Sequence, residues 1–500
     1  MAIENREKEL NIIYTDISED KLVLPNFQRG FIWSREQQAK LLASILVGLP
    51  VGSLLILEGK AKDFSKRGLC FPTELITEKD CDYVLDGQQR LSTLRSIFYD
   101  LFSEDDWKKT WDHMYGSLRT RWFLTIQSSK SEMDVFGYRS LNFETLSKYT
   151  DSDLVDFIKH LPIRKTKKDD LYSPGYIVKK PDGTPEPRAA FIKDFMSTQY
   201  SELNQVPLWE VGSSNGLHRK VLAKIANKRI SELKVEAEDA GYSSRYYEKV
   251  FLPINVTKED LELELDGLSV GDHINDKLAD KWAALHAQWV EKVSRELEGM
   301  PSRKMPIINL NREEVNRAAA IFEAINRGGV PLSTYDLVVA KSARDQAVKN
   351  LSSKIINYVE SNIEINKDIF TRYSEGFSDY DAVWSAKDMK VIVGNEPSNA
   401  FKDWFVNILS LLVHVKSNGE DCSVEHIKRE KVLSLTYEQV NEHSDVAIKA
   451  IIRALAFLQF RCGIITGNEI SYKLMVTVLA YHLSDDEVWN SKVAMNTLEY

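Results

Sequence analysis

Tyr83-Val84-Leu85 runs directly into Asp86-Gly87, and this junction limits what the chain can fold into. Three apolar residues followed by Asp-Gly signal a short buried strand stopped by a tight turn. Behind the turn, Leu91, Leu94, Phe98, Leu101 and Phe102 recur at helical spacing. A strand, a turn and an amphipathic helix in this order belong to an α+β domain. Gln88, Gln89 and Arg90 fall on the turn and the first helical residues. A helix start offers unpaired N–H groups and a positive dipole end, which favour an anion. Asp86 suits the N-cap there. Arg90 does not suit its position, because a cation opposes the dipole. A residue that breaks a local rule is a candidate for function, and a phosphate between Arg90 and the helix start would remove the conflict. The plainer alternative is that Asp86 only makes the turn and Arg90 pairs with a surface carboxylate.

Upstream, Ile12 and Ile13, then residues 22–24, read as short strands. Pro25 and Gly30 mark the next stretch as irregular, and it holds a second Gln-Arg pair, Gln28-Arg29. Ser34 with Gln37 three residues on is a capping box, opening a helix with Leu41, Leu42, Ile45 and Leu46 as its stripe. Gly48 and Pro50 close it. Residues 51–57 read as a buried strand and 58–80 as a polar loop. Further strands are expected at 122–126 and 206–209. Residues 163–187 read as an exposed loop with Arg164, Lys165, Lys167 and Lys168 clustered, either a solvated linker or a phosphate contact.

From 217 to 300 the pattern is helical and heavily charged, an insertion with exposed faces. Residues 304–310 return to a strand. Val315, Ala318, Phe322 and Ile325 mark a helix stopped by Asn326-Arg327-Gly328-Gly329, either a plain C-cap or a loop lining a ligand site. Ser333 with Asp336 opens the next helix. The last third is helical, with stripes at Trp404, Phe405, Ile408, Leu411 and Leu412, at Ile451, Ala454, Leu455 and Leu458, and at Met475, Val478 and Leu479.

Charge and chemistry narrow the function. A net charge of −9 argues against a generic polyanion binder but allows a local basic face. The longest apolar run, near 474–483, is too short to span a bilayer, so no membrane partner is expected. Four cysteines lie far apart without metal spacing and read as reduced thiols of a cytoplasmic protein. No Walker A, zinc or nucleophile-elbow pattern is present. What remains converges on phosphate. Arginines offer forked donors to phosphate oxygens. Asp86 suits a magnesium ion shared with phosphate and water. Gln88 or Gln89 can orient a water or read a base edge, and Ser92 and Thr93 complete the segment.

Pro25-x-Phe27-Gln28-Arg29 with Trp33, Ser44-Ile45-Leu46-x-Gly48-x-Pro50-x-Gly52 and Leu85-Asp86-Gly87-Gln88-Gln89-Arg90-Leu91-Ser92-Thr93-Leu94 follow one another in order. With Phe322-x-x-Ile325-Asn326-x-Gly328-x-Pro331-Leu332-Ser333 and Asp336-Leu337, they resemble the N-terminal domain family of GmrSD-type modification-dependent restriction enzymes. The resemblance spans most of residues 1–345. It implies a ParB/sulfiredoxin-like fold and nucleoside triphosphate binding and hydrolysis, with GTP or another triphosphate and Mg2+. The site residues it implies are Asp86, Gly87, Gln88, Gln89 and Arg90, faced by Gln28 and Arg29, with Asp86 on the metal and Ser92, Thr93 and Asn326 toward the nucleotide.

The resemblance further implies action against phage DNA, including modified DNA. Many members carry an HNH nuclease at the C-terminus. Here the nine histidines are scattered. Asp112-His113 and Asp272-His273 lack a downstream partner set, and His426 and His443 lie among helical residues. The nuclease is therefore expected beyond Tyr500, in a partner subunit, or not at all, and a homo-oligomer stays open. The expected organisation is a ParB-like nucleotide-binding domain over 1–210, a helical insertion with a return strand and helices over 211–345, and an α-helical region over 346–500. Two functions fit: a nucleotide hydrolase that gates restriction, or a nucleotide-sensing DNA clamp without chemistry.

Overall fold

The structure, a computed structural model, describes residues 3–26, 28, 30–61, 63–75, 77–103, 106–165, 173–174, 181–184, 189–212, 216–265, 273–317, 321, 333–342, 351–365, 383–394 and 396–499. Its strands are β1 (Ile3–Glu9), β2 (Leu22–Pro25), β3 (Leu54–Leu57), β4 (Lys66–Arg67), β5 (Glu74–Leu75), β6 (Asp82–Asp86), β7 (Thr120–Thr125), β8 (Ile158–Pro162), β9 (Gln205–Pro207) and β10 (Lys304–Leu310), followed by short pairs farther on. Seven strands form one sheet in the order β1-β10-β3-β6-β2-β4-β5. β10 runs parallel to β3 and β2 parallel to β6, while the other pairs are antiparallel. The return strand at 304–310 thus inserts between β1 and β3 of a sheet started three hundred residues earlier.

Successive strand side chains point to opposite faces, and here both faces are buried. Leu22, Leu24, Leu54, Ile56, Val84 and Ile307 face one core. Helices α1 (Leu10–Ser18), α2 (Arg35–Val47) and α3 (Gln88–Phe98) cover it. Val23, Leu55, Leu57, Tyr83, Leu85 and Leu310 face the second core, built with the helices Thr334–Ser342, Leu351–Glu360, Asn399–Leu411 and Tyr437–Cys462. The helices of the last third therefore close the sheet's second face. The insertion helices Leu217–Asp239 and Ala279–Glu298 pack together and join the first core, beside a three-stranded sheet in the order β8-β7-β9.

Local signals hold where chemistry is local. Ser34 Oγ accepts from Gln37 N at 3.3 Å and Gln37 Oε1 from Ser34 N at 2.9 Å, so α2 has its capping box. Gly48 ends it with φ 83. Ser333 and Asp336 make the same reciprocal pair at 2.9 and 3.1 Å.

Three expectations change. Ile12 and Ile13 lie in helix α1, not a strand, because Leu10, Ile13 and Tyr14 share the buried face while Ile12 is exposed. The highly charged residues before them form β1. Its pairing with β10 from Ile3↔Leu310 to Glu9↔Lys304 supplies the strand, and charges at a sheet edge deter further pairing. In the helix Lys473–Leu483 the buried stripe is Val476, Leu479, Ala480 and Leu483, with Val478 exposed. The predicted polar loop at 58–80 contains β4 and β5, and in β4 Lys66 and Arg67 are buried. Lys66 Nζ donates to the carbonyls of Ala61 and Thr77 at 2.6 and 2.8 Å. Among the described residues, no helix is long and apolar enough to cross a membrane. None of the four cysteines forms a disulfide.

Leu85 and Phe405 are fully buried in the same core, from opposite sides. Leu85→Ala and Phe405→Ala are each expected to cost about 2–5 kcal/mol. Both should shift the same denaturation transition, followed by tryptophan fluorescence and circular dichroism; two separate transitions would show that sheet and helices unfold apart.

Candidate functional site

The site starts at an irregularity. Leu57 pairs with Tyr83 and Ile56 with Val84, but Leu55 pairs with Asp86, so β6 carries one extra residue at Leu85. Bulges re-aim side chains and gather next to functional sites. The next residue, Gly87, has φ 106, a backbone that L side chains rarely adopt, and a Cβ there would collide with Leu54. Gly87 is itself the N-cap of α3, with no side-chain cap. The expectation that Asp86 caps this helix is thereby corrected: the left-handed glycine turns the chain before the helix, leaving Asp86 as the last strand residue.

Arg90 Nη2 donates to Asp86 Oδ2 at 2.7 Å, and Nη1 to the Val51 carbonyl at 2.9 Å. The cation that opposes the dipole is thus answered inside the motif, one turn back, rather than by a distant carboxylate. Side-chain exposure is 15% for Arg90 and 35% for Asp86, so the carboxylate remains open to solvent.

The glutamines do different work. Gln89 Oε1 accepts from Ile32 N at 3.0 Å and Trp33 N at 3.3 Å, and Nε2 donates to the Gly30 carbonyl at 3.0 Å. One amide therefore holds the irregular segment before α2 against the start of α3. Gln88 Oε1 accepts from Arg67 Nη2 at 3.2 Å, while its Nε2 is buried without a hydrogen-bond partner. Gln28 Nε2 donates to the Val84 carbonyl in β6. Ser92 and Thr93 are fully buried within α3, their hydroxyls without hydrogen-bond partners. Arg29 and Asn326, with Arg327, Gly328 and Gly329, lie outside the described residues.

A cavity of about 510 Å³ opens beside this junction. Asn26, Gln28, Gly30 and Arg67 line one side, and Tyr335, Ser352, Glu396 and Lys402 another. Asn26 is 5% exposed, and both its amide atoms are buried without hydrogen-bond partners. Buried polar atoms without partners are costly, so this amide is a ready contact for a polar ligand. Arg67 donates to the Tyr115 hydroxyl, whose pKa burial pushes up to about 12 while the guanidinium pulls it back down. Lys402 Nζ donates to Glu396 Oε2 at 3.1 Å and lies 5.5 Å over the Tyr335 ring. Burial also raises the Tyr335 pKa, and its hydroxyl lies 3.1 Å from Ser352 Oγ.

The motif is thus divided in space. Gln88 and Gln89 brace two cavity-lining groups, Arg67 and Gly30, while Arg90 donates to both Asp86 and the Val51 carbonyl. Sequence reasoning missed Asn26, Arg67, Glu396 and Lys402. Asn26 sits within Pro25-Asn26-Phe27-Gln28, so its block was visible. The other three carry no local signal, because distant strands and helices bring them together. In the basic cluster, Arg164 is exposed, while Lys165 pairs with Asp112 and lies 5.5 Å over the Trp111 ring. Lys167 and Lys168 lie outside the described residues.

A mixed sheet closed by helices on both faces defines an α+β domain, with a buried glutamine-rich turn beside a polar, ligand-sized cavity. Residues 10–343 match the GmrSD restriction endonuclease N-terminal domain, and the chain belongs to that family. An uncharacterized protein of Methanocaldococcus jannaschii is 29% identical over 109 residues, covering 21% of this chain and 18% of that protein. The chain thus matches less than a fifth of that curated relative's length.

Gln89→Ala would leave the Gly30 carbonyl and the amides of Ile32 and Trp33 without their partner. A loss of about 1–3 kcal/mol is expected. Hydrogen exchange at Ile32 and Trp33 should rise well above that in α2; unchanged exchange would show that Gln89 does not hold the segment.

Proposed function

We propose that this chain is the nucleoside triphosphate-binding and hydrolysing component of a phage-defence restriction system. It couples hydrolysis to recognition or cleavage of DNA, including modified DNA, in the cytoplasm. The observation that carries the reading is the β6–α3 junction. A half-exposed carboxylate ends a strand, a left-handed glycine follows, and the helix then starts with no side-chain cap, beside a guanidinium. Uncapped first-turn amides and an arginine suit phosphate oxygens, and the carboxylate suits a bridging Mg2+. Family membership supports the restriction context, and a ParB/sulfiredoxin-like core is part of the same reading.

The chemistry assigns roles. Asp86 would hold Mg2+, which would supply charge neutralisation to phosphate, and Arg90 would offer its guanidinium to the phosphate oxygens. Gln88 and Gln89 keep the turn and cavity wall in place. Gln28, Arg29, Ser92, Thr93 and Asn326 remain nucleotide-side positions of the proposal, the two hydroxyls acting through packing because they are buried. The cavity adds a constraint. Its lining carries Asp112, Asp336, Glu360 and Glu396 against Arg67 and Lys402. A bare polyphosphate would be repelled there, so the cavity fits a nucleoside or other polar uncharged moiety better than the phosphates themselves.

The second reading is a nucleotide-sensing DNA clamp without hydrolysis, with a nuclease in a partner. The Asp86–Arg90 pair at 2.7 Å favours it, since an ion-paired carboxylate is a poorer metal ligand. Phosphate release separates the two. Wild type is expected to release phosphate from a triphosphate with Mg2+, and Asp86→Ala to abolish release while nucleotide still raises its melting temperature. Arg90→Ala should weaken nucleotide binding by about 1.5–3 kcal/mol. Binding without release in the wild type would favour the clamp, and no thermal shift with any triphosphate would refute both.

A further inference from the structure

Two histidines with no sequence signal joining them meet in the C-terminal helical layer. The helix Asn399–Leu411 continues into a π-helical turn, Leu412–Ser417, that carries His414. Such turns are rare and recur at functional sites. The chain then brings back Glu420, and the short helix Val424–Ile427 brings His426. The imidazoles stack with centroids 5.3 Å apart and planes 15° from parallel. Glu420 Oε1 lies 3.1 Å from His414 Nδ1, and Oε2 lies 3.6 Å from His426 Nδ1. All three candidate ligand atoms fall within 4.8 Å of one another. Both histidines are buried, at 7% and 5% exposure.

The hydrogen bonding of His426 makes the arrangement informative. Its Nε2 lies 2.9 Å from the Asp421 carbonyl. A carbonyl only accepts, so Nε2 bears the hydrogen, and in the neutral ring Nδ1 keeps its lone pair. That lone pair faces Glu420 Oε2, a second acceptor, and Nδ1 is buried without a hydrogen-bond partner. Two acceptors facing each other call for a cation between them. A ring nitrogen donating to a carbonyl is also the usual outer support of a metal-bound histidine. In a tetrahedral zinc site with bonds of about 2.0–2.1 Å, ligand atoms lie roughly 3.3 Å apart; the observed 3.1 and 3.6 Å, each to a different oxygen of Glu420, leave a small shift of the carboxylate to bring one oxygen between the two imidazoles. Lys431 Nζ, 3.7 Å from Glu420 Oε2 on a half-exposed side chain, is the competing cation.

We propose that His414, Glu420 and His426 bind one divalent transition metal ion, with Zn2+ the best match to two imidazoles and a carboxylate, and water at the solvent-facing position. The ion would tie the turns that follow the helix Asn399–Leu411 back onto its end, a structural clamp separate from the β6–α3 junction. The alternative occupant of the same space is a proton on His426 Nδ1.

The test uses the full chain, stripped with chelator and titrated with Zn2+ against a chromophoric competitor, with Co2+ as a spectroscopic substitute. One Zn2+ per chain is expected, with the visible bands of four-coordinate Co2+. Glu420→Gln and His426→Asn should each weaken binding at least about tenfold, the least effect expected when even an outer support is lost. Glu420 is 39% exposed, so its variant should fold, and circular dichroism would verify this. The wild type should gain thermal stability from Zn2+ and Glu420→Gln should not. Weak wild-type binding, or equal binding by wild type and folded variants, would overturn the proposal and leave the proton-bridged cluster.

Discussion

The burial of both faces of β3 and β6 is the constraint on which the rest of the structure depends. Leu54-Leu55-Ile56-Leu57 and Tyr83-Val84-Leu85 send alternate side chains into separate cores. Neither face can stay wet, since each apolar side chain left in water forfeits roughly 1.5–3 kcal/mol. One cover comes from helices near the N-terminus and from the insertion. The other comes from helices after residue 333. The chain must therefore travel far from the sheet and return. That excursion is what brings Tyr335, Glu396 and Lys402 opposite Asn26 and Arg67.

Covering the sheet also sets the site's polarity. A strand buried on both faces is free to expose polar groups only where it ends. β6 ends with a bulge, Asp86 and a left-handed glycine, and α3 begins without a side-chain cap. Carboxylate, guanidinium and buried amides thus collect at one sheet end. Arg90 is kept close by Asp86 and Val51, so its charge is positioned before any ligand arrives.

Much of this was legible because its causes are local. The Ser34–Gln37 box, the Gly48 stop, the strand at 304–310 and the stripe around Trp404 depend on neighbours within a few residues, and each stands in the structure. Other features depend on partners outside any short window of sequence. The charged stretch of β1 becomes a strand only because β10 lies beside it. Arg67 is buried because Gln88 and Tyr115 accept its donors. His414 and His426 carried no joint signal, because twelve positions of separation hide a contact that a π-turn creates. The role given to Asp86 failed for another reason. Asp is a good N-cap by frequency, but Gly87 at φ 106 takes the position through backbone geometry. In the candidate site, Asp86 and the glutamines were visible, whereas the opposite cavity wall was not.

The shared family span ends at residue 343, while Ser352, Glu396 and Lys402 lie beyond it. Glu396 also sits where a Cβ on Gly30 would strike it, so the later segment reaches into the motif's own loop. The cavity therefore joins residues inside the family match with residues beyond it. Exchanging the segment that carries Ser352, Glu396 and Lys402 would thus rebuild one wall of the cavity while leaving the turn and its glutamines in place.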